Sequence, residues 1–253
     1  MITSAKALAL PIGLLLLWQA IWVAVGVQSD TLAAPSAILV ALSHGFADGS
    51  LLSATGETLA AGGIGLALGT GLGMIFGVVF GLIPPVSRLM GLTIEILRPI
   101  PSIAIVPIAI LIFGFGYALE IAIVAFACFF PILLLTEAAI RQITPRLLEV
   151  ARVLRLSSAQ QVYKIVLPAA LPRIFVALRL AAGIALIVAV TVEIVANPIG
   201  LGTRLMQAGS SLRPADMFAT LLWVGFLGWF LNWILVKAER ALFPSYAMKG
   251  PAQ

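Results

Sequence analysis

Thirty consecutive residues, Thr58–Ser87, carry no charged side chain. A helix rises about 1.5 Å per residue, so about 20 apolar residues cross the hydrocarbon of a bilayer, and a run this long predicts a tilted membrane span. Comparable runs recur. Leu8–Val27 gives 20 uncharged residues after Lys6, and Met217–Val236 gives another 20. Pro99–Leu119 and Ile121–Thr136 flank a tight turn at Gly114-Phe115-Gly116, and Leu180–Val192 continues past Glu193 to Ala196. The apolar core of a signal peptide is about 7–15 residues long, so Leu8–Val27 reads as a retained span. The pattern predicts six spans, at about 8–27, 58–83, 91–113, 118–140, 174–196 and 217–238, in a single all-α domain over 1–253. Gly91–Arg98 is expected to begin the third span, and Pro35–Phe46 to form a short surface helix.

Composition agrees. The chain is 62% hydrophobic and 10% charged, against about 25% charged in a soluble domain, so lipid must cover much of its surface. The net charge of +5 does not point to nucleic acid, because the basic residues stand at the ends of apolar runs. There they orient a membrane protein. With both termini in the cytoplasm, 13 of the 15 Lys and Arg lie inside, seven of them in Arg141–Arg179 beside the single acid Glu149. Only Arg204 and Arg213 lie outside. The first outer segment, Gln28–Glu57, holds three acids and no Lys or Arg.

Within the second span Gly65, Gly69, Gly73, Gly77 and Gly81 recur every four residues, with Ala61 extending the row. Such a row lets another helix backbone approach closely, and static packing is the expectation. Cys128 stands alone in an apolar run, which excludes an internal disulfide and fits a small buried hydrophobe. His44 has no ligand partner at metal-binding spacing, and neither a Gly-x-x-x-x-Gly-Lys-Ser/Thr phosphate loop nor a Ser-His-Asp constellation occurs.

The segment between the fourth and fifth spans, 141–173, is too polar for lipid. Thr144-Pro145 suits a helix start, and Leu147, Val150, Ala151 and Leu154 then follow at helical spacing as an apolar stripe. Ser157 with Gln160 forms a second start, a capping box. That second helix is expected to stop near Leu167, before Pro168 and Pro172.

Glu149-Val150-Ala151, then Arg155, then Ile165-Val166-Leu167-Pro168 resembles the Glu-Ala-Ala…Gly…Ile-x-Leu-Pro loop of ABC importer permeases. Glu137-Ala138-Ala139 is an out-of-register lookalike, too early in its helix. Leu97-Arg98-Pro99-Ile100-Pro101, Phe113-Gly114-Phe115-Gly116, Phe129-Phe130-Pro131, Leu167–Pro172, Leu178-Arg179-Leu180 and Glu193…Gly200-Leu201-Gly202 extend the likeness to permeases of the nitrate, sulfonate and taurine type. The resemblance implies a type I importer fold in a bacterial inner membrane. It also implies a second copy of the chain, two ABC ATPase subunits that bind ATP and Mg, and an extracytoplasmic solute-binding protein, with no cofactor on this chain. It makes 141–173 the coupling loop. Leu147, Glu149, Val150, Ala151, Arg152, Leu154, Arg155, Ile165, Leu167 and Pro168 are its candidate ATPase-contacting residues, and Arg146–Leu167 is the docking element. Arg155 replaces the usual Gly, and a left-handed non-Gly residue costs about 1–2 kcal/mol, so a different turn geometry is expected.

Arg98, Ser102 and Glu193 are the candidates for the substrate pathway. Pro99 and Pro101 should break the helix beside Arg98 and free backbone groups to line a cavity, which suits a small anionic solute. Glu95 and Arg98, three apart, can pair on one face. Glu193 should lie near the outer interface in a structural pairing, and Glu120 in a solvated turn. The alternative function is a stand-alone channel or secondary transporter, which would need its own intramembrane coupling site.

Overall fold

A computed structural model describes residues 2–26 and 29–244, with the side chains of residues 2–8, Pro145, Leu148, Val150 and Arg152 left undescribed. The expected end of the first span at Val27 and the basic residue Lys249 therefore lie outside the described residues, as do the side chains of the candidate contacts Val150 and Arg152.

Among the described residues the fold is all-helical. The helices are α1 (Ile2–Val25), α2 (Pro35–Ala47), α3 (Ser50–Leu82), α4 (Pro84–Leu97), α5 (Val106–Phe113), α6 (Tyr117–Arg141), α7 (Pro145–Val153), α8 (Ser158–Gln161), α9 (Leu167–Val195), α10 (Leu201–Ser210) and α11 (Pro214–Leu242). A 3₁₀ turn, Ser102–Ile105, leads into α5, and a π turn, Val162–Val166, joins α8 to α9.

Among the described residues, four helical stretches are long and apolar enough to cross a membrane: α3, α6, the run Ser158–Val195 and α11. The pair α4 with Ser102–Phe113 qualifies jointly but is bent by 82°. The expected third span is thus a broken element, split where Pro99 and Pro101 deny the backbone two N–H donors. In α1 the apolar stretch Ala9–Val25 is shorter, at 17 residues, so six spans are reached only by counting it and the bent pair.

Three expected boundaries move, the first being the start of α4 at Pro84, seven residues before Gly91. α3 begins at Ser50, eight residues before the apolar run at Thr58, because hydropathy marks where lipid lies and not where a helix starts. The helix begun at Ser157 does not stop near Leu167. The Leu167 N–H reaches the Val162 carbonyl across the π turn, and the chain continues into α9. Pro168 would clash with a regular turn, and an i→i+5 turn just before it makes room.

The core is a close packing of α3, α6 and α9. A Cβ added at Gly65, Gly69, Gly73, Gly77 or Gly81 would fall 2.6–2.9 Å from atoms of α6, among them the Ala125 and Phe129 carbonyl oxygens and the Thr136 and Ile140 side chains. The whole glycine row therefore faces α6. A second row of small residues, Ala177, Ala181, Ala185 and Ala189 of α9, is 0–3% exposed and clusters with α6, while Ala189 also comes within 3.4 Å of a Cβ built at Gly62 of α3. Cys128 lies fully buried between the two rows, its thiol toward the Ala181 carbonyl at 3.5 Å. Lipid tails are as apolar as leucine, so such helices associate through van der Waals fit and not through water exclusion. Small residues on facing surfaces supply that fit.

Candidate functional site

Helices α7 and α8 form a hook at one end of α9. α7 starts at Pro145 and α8 at Ser158, both where predicted. The Ser157 hydroxyl accepts the Gln160 N–H at 3.3 Å and the Gln160 side chain accepts the Ser157 N–H at 3.0 Å, completing the capping box. Arg155 keeps the left-handed turn, at φ 47°. The different geometry expected for a non-glycine residue is not adopted, because the Leu156 N–H returns to the Ala151 carbonyl at 3.1 Å and closes the helix end in a Schellman pattern.

This geometry splits the expected apolar stripe. Ala151 is fully buried, while Leu147 and Leu154 are 39% and 62% exposed. Val153 and Tyr163, which the helical spacing did not single out, are 81% and 74% exposed. Glu149 and Arg155 are exposed beside them, Ile165 and Leu167 are half-buried, and Pro168 is exposed. Val166 and Leu167 tie the hook into a cluster with Ala139, Ile140, Ala170 and Ile174. The lookalike Glu137 belongs to α6, paired with Arg141 at 2.8 Å and accepting the Ser87 hydroxyl at 2.8 Å.

Arg98 and Ser102 come together. Both line a cavity of about 480 Å³ between the α4–α5 break, α6 and α9, whose other walls include Phe126, Phe130, Ile184 and Val188. No ion pair joins Glu95 to Arg98, because Arg98 ends α4 at the break and both side chains stay exposed.

Glu193 lies elsewhere, at the opposite end of α9 from the hook, 2% exposed. It caps α10. The Gly202 N–H donates to Glu193 Oε2 at 2.7 Å, the Gly200 N–H to Glu57 Oε2 at 2.9 Å, and the Leu201 N–H to the Thr58 hydroxyl at 3.0 Å. Unpaired N–H groups and the positive end of the helix dipole both favour carboxylates there. The partner of Glu193 is therefore a helix terminus and not a cation. Gly200 and Gly202 are required, since a Cβ at Gly200 would collide with the Glu193 carboxyl and one at Gly202 with the Val190 carbonyl.

Glu120 is not solvated. It is fully buried, and the Asn197 amide donates to its Oε2 at 2.7 Å. At the start of α3, the Ser50 hydroxyl and N–H both donate to Asp48 Oδ1, at 2.6 and 2.9 Å, and hold that carboxyl below its ordinary pKa. No cluster of three or more His, Cys, Asp or Glu that could hold a metal exists among the described residues.

Residues 69–246 match the family described as binding-protein-dependent transport system inner membrane component. The chain is similar to SsuC of Bacillus subtilis (strain 168), named for aliphatic sulfonates transport, at 31% identity over 94% of this chain and 86% of that protein. It is similar to the bicarbonate transport system permease protein CmpB of Synechococcus elongatus, 30% identical over 77% of this chain and 73% of that one. The taurine transport system permease protein TauC of Escherichia coli (strain K12) is 27% identical over 82% of this chain and 75% of its own length. An inward-facing structure of the MetNI methionine ABC transporter shares the fold, with TM-score 0.67 over 73% of this chain and 92% of that chain at 24% identity. The capped hook, the broken helix at Arg98 and these relatives agree: the chain belongs to the family of binding-protein-dependent transport system inner membrane components and is a permease subunit of an ABC importer.

Proposed function

We propose that two copies of this chain form the passage for a small anion, driven by two ABC ATPase subunits seated on the α7–α8 hook. ATP and Mg bind on those subunits, and an extracytoplasmic solute-binding protein delivers the solute. On this reading the chain crosses the membrane six times with both termini in the cytoplasm, as the 13-to-2 distribution of Lys and Arg favours. Arg98 and Ser102 line the passage, and Glu193 serves it indirectly by holding α10. Sulfonates and bicarbonate, for which two of the relatives are named, are anions that a guanidinium and a hydroxyl suit.

The observation that carries the proposal is the hook. Leu147, Val153, Leu154 and Tyr163 are exposed on a polar segment outside the spans, and apolar groups grouped in water mark a partner surface. A stand-alone channel would leave them uncovered. Burying one Leu contributes about 1.5–3 kcal/mol, whereas a rim charge such as Glu149 contributes about 0–1 kcal/mol. Leu154→Asp should therefore abolish co-purification with the ATPase and all uptake, while Glu149→Ala retains both. Stoichiometric ATPase binding by Leu154→Asp would place the docking surface elsewhere.

A further inference from the structure

Asn232 is exposed in the interior of α11, a membrane-spanning helix, and makes no hydrogen bond to any described residue. A polar amide within such an apolar helix, with no partner among the described residues, is unfavourable and marks a functional position. It lines a cavity of about 450 Å³ between α6, α9 and α11, together with Arg179, Leu180, Leu186 and the glycines Gly183 and Gly228. Nothing lies within 4 Å of a Cβ built at Gly183, so that glycine leaves the space open. A second cavity of about 340 Å³, between α3, α9 and α11, shares Ala182, Leu186, Leu231 and Leu235 with the first and is otherwise apolar but for Thr58. The two make a continuous slot with a polar mouth.

The mouth lies at the hook end. Arg179 of α9 pairs with Glu239 of α11 at 2.9 Å, yet a guanidinium carries five N–H donors, and this bond uses one. Lys237 and Arg240 of α11 stand at the same end, the Lys237 ammonium over the Trp233 ring at 3.8 Å. Seven residues separate Asn232 from Glu239, which puts the amide about 10 Å deeper. Positive charge at the mouth, an amide donor one step further in, and apolar walls beyond match the phosphate, the ester carbonyls and the acyl chain of a phospholipid.

We infer that the slot between α9 and α11 holds one anionic phospholipid per chain, with its phosphate at Arg179, an ester carbonyl at Asn232 and an acyl chain along Leu186, Leu231 and Leu235. The transporter purified in mild detergent is titrated with phosphatidylglycerol or phosphatidylethanolamine and bound lipid is counted by native mass spectrometry. Phosphatidylglycerol should be retained preferentially. Asn232→Leu, which removes one hydrogen bond, should weaken its binding about fivefold without lowering the unfolding temperature. Gly183→Leu should fill the slot and remove one lipid per chain; if that variant does not assemble, Asn232→Leu carries the test alone. The same lipid should remain on Leu154→Asp, so loss of the ATPase and loss of the lipid are separable. Equal retention of the two lipids, or unchanged phosphatidylglycerol binding in Asn232→Leu, overturns the inference. So does a Gly183→Leu chain that loses its second copy while Asn232→Leu keeps its lipid, because the slot is then a helix-packing surface.

Discussion

Replacing Gly69 by Ala adds a single methyl group to α3, and its consequence can be worked out from one contact. The added Cβ would sit 2.6 Å from the Ala125 carbonyl oxygen and 3.0 Å from Cys128 Cβ, where ordinary contact begins at 3.4 Å. The near atom is backbone, so no rotamer change relieves it, and α6 must recede by about 0.8 Å, the difference of those two distances. A gap of about 0.5–1 Å forfeits a quarter to a half of each dispersion contact along the seam. Overpacking of this kind costs about 1–3 kcal/mol. Glycine-to-alanine in a helix also gains about 1 kcal/mol of intrinsic propensity, so the right control is Gly71→Ala, two residues along, where nothing lies within 4 Å of the new Cβ. Propensity cancels between the two variants and the packing cost remains. At about 2–4 °C per kcal/mol for a chain of this size, Gly69→Ala should unfold about 2–12 °C below Gly71→Ala in a detergent thermal scan read by tryptophan fluorescence. Equal midpoints would refute the close α3–α6 contact and the account of the glycine row built on it.

Arg155→Gly should raise the midpoint by a few degrees, since relief of a left-handed residue contributes about 1–2 kcal/mol and the added backbone freedom takes back about 0.5–1; a lowered midpoint would contradict the Schellman end of α7. Glu193→Leu removes the acceptor of the buried Gly202 N–H and should destabilise by about 1–3 kcal/mol, while Glu193→Gln, which still accepts, stays near wild type; equal losses in both would show that the cap is not what Glu193 supplies. Arg98→Gln should slow uptake with the midpoint and ATPase association unchanged, and undiminished uptake would remove the residue-level support for an anionic solute. In a Cys128→Ala background, a Cys at Ser158 should react with impermeant thiol reagents only after the membrane is opened, and one at Asp30 in intact spheroplasts; the reverse labelling would invert the orientation.

What the sequence discloses here is what neighbouring residues decide. The break beside Arg98 follows from Pro99 and Pro101, the capping box from Ser157 and Gln160, and the α3 seam from a four-residue glycine period. The alanine row of α9, Ala177, Ala181, Ala185 and Ala189, obeys the same four-residue rule and is equally legible in the sequence. Other features depend on partners far along the chain. Glu120 is buried because Asn197, 77 residues away, meets it, and Thr58 caps Leu201 across 143 residues; no local pattern encodes either meeting. Pro168 misleads for a different reason. Its ring forbids a regular turn, which reads as a stop, but a π turn placed before it satisfies the same steric demand and lets the helix run on.

That continuity bears on how the chain would work. The capping box at Ser157 and the cap supplied by Glu193 lie on one helical run, Ser158–Val195, of 38 residues. At 1.5 Å per residue the run is about 57 Å long, enough to reach from the hook through the hydrocarbon to α10. Had the helix ended at Leu167 as its prolines suggest, a displacement at the hook would dissipate in the joint. Joined by hydrogen bonds through the π turn and packed along α6 by its alanine row, the run is continuous from the hook to Val195. On the proposed reading, an ATPase that tilts the hook therefore acts on two places at once. Midway it shifts the α9 wall of the Arg98 cavity, formed by Leu180, Ile184 and Val188. At the far end it pulls on the carboxylate that holds Gly202, while Glu57 and Thr58 of α3 hold the two residues before it. α10 is thus gripped by both helices, so relative motion of α9 and α3 must either carry α10 with it or break one of three hydrogen bonds to its N-terminus.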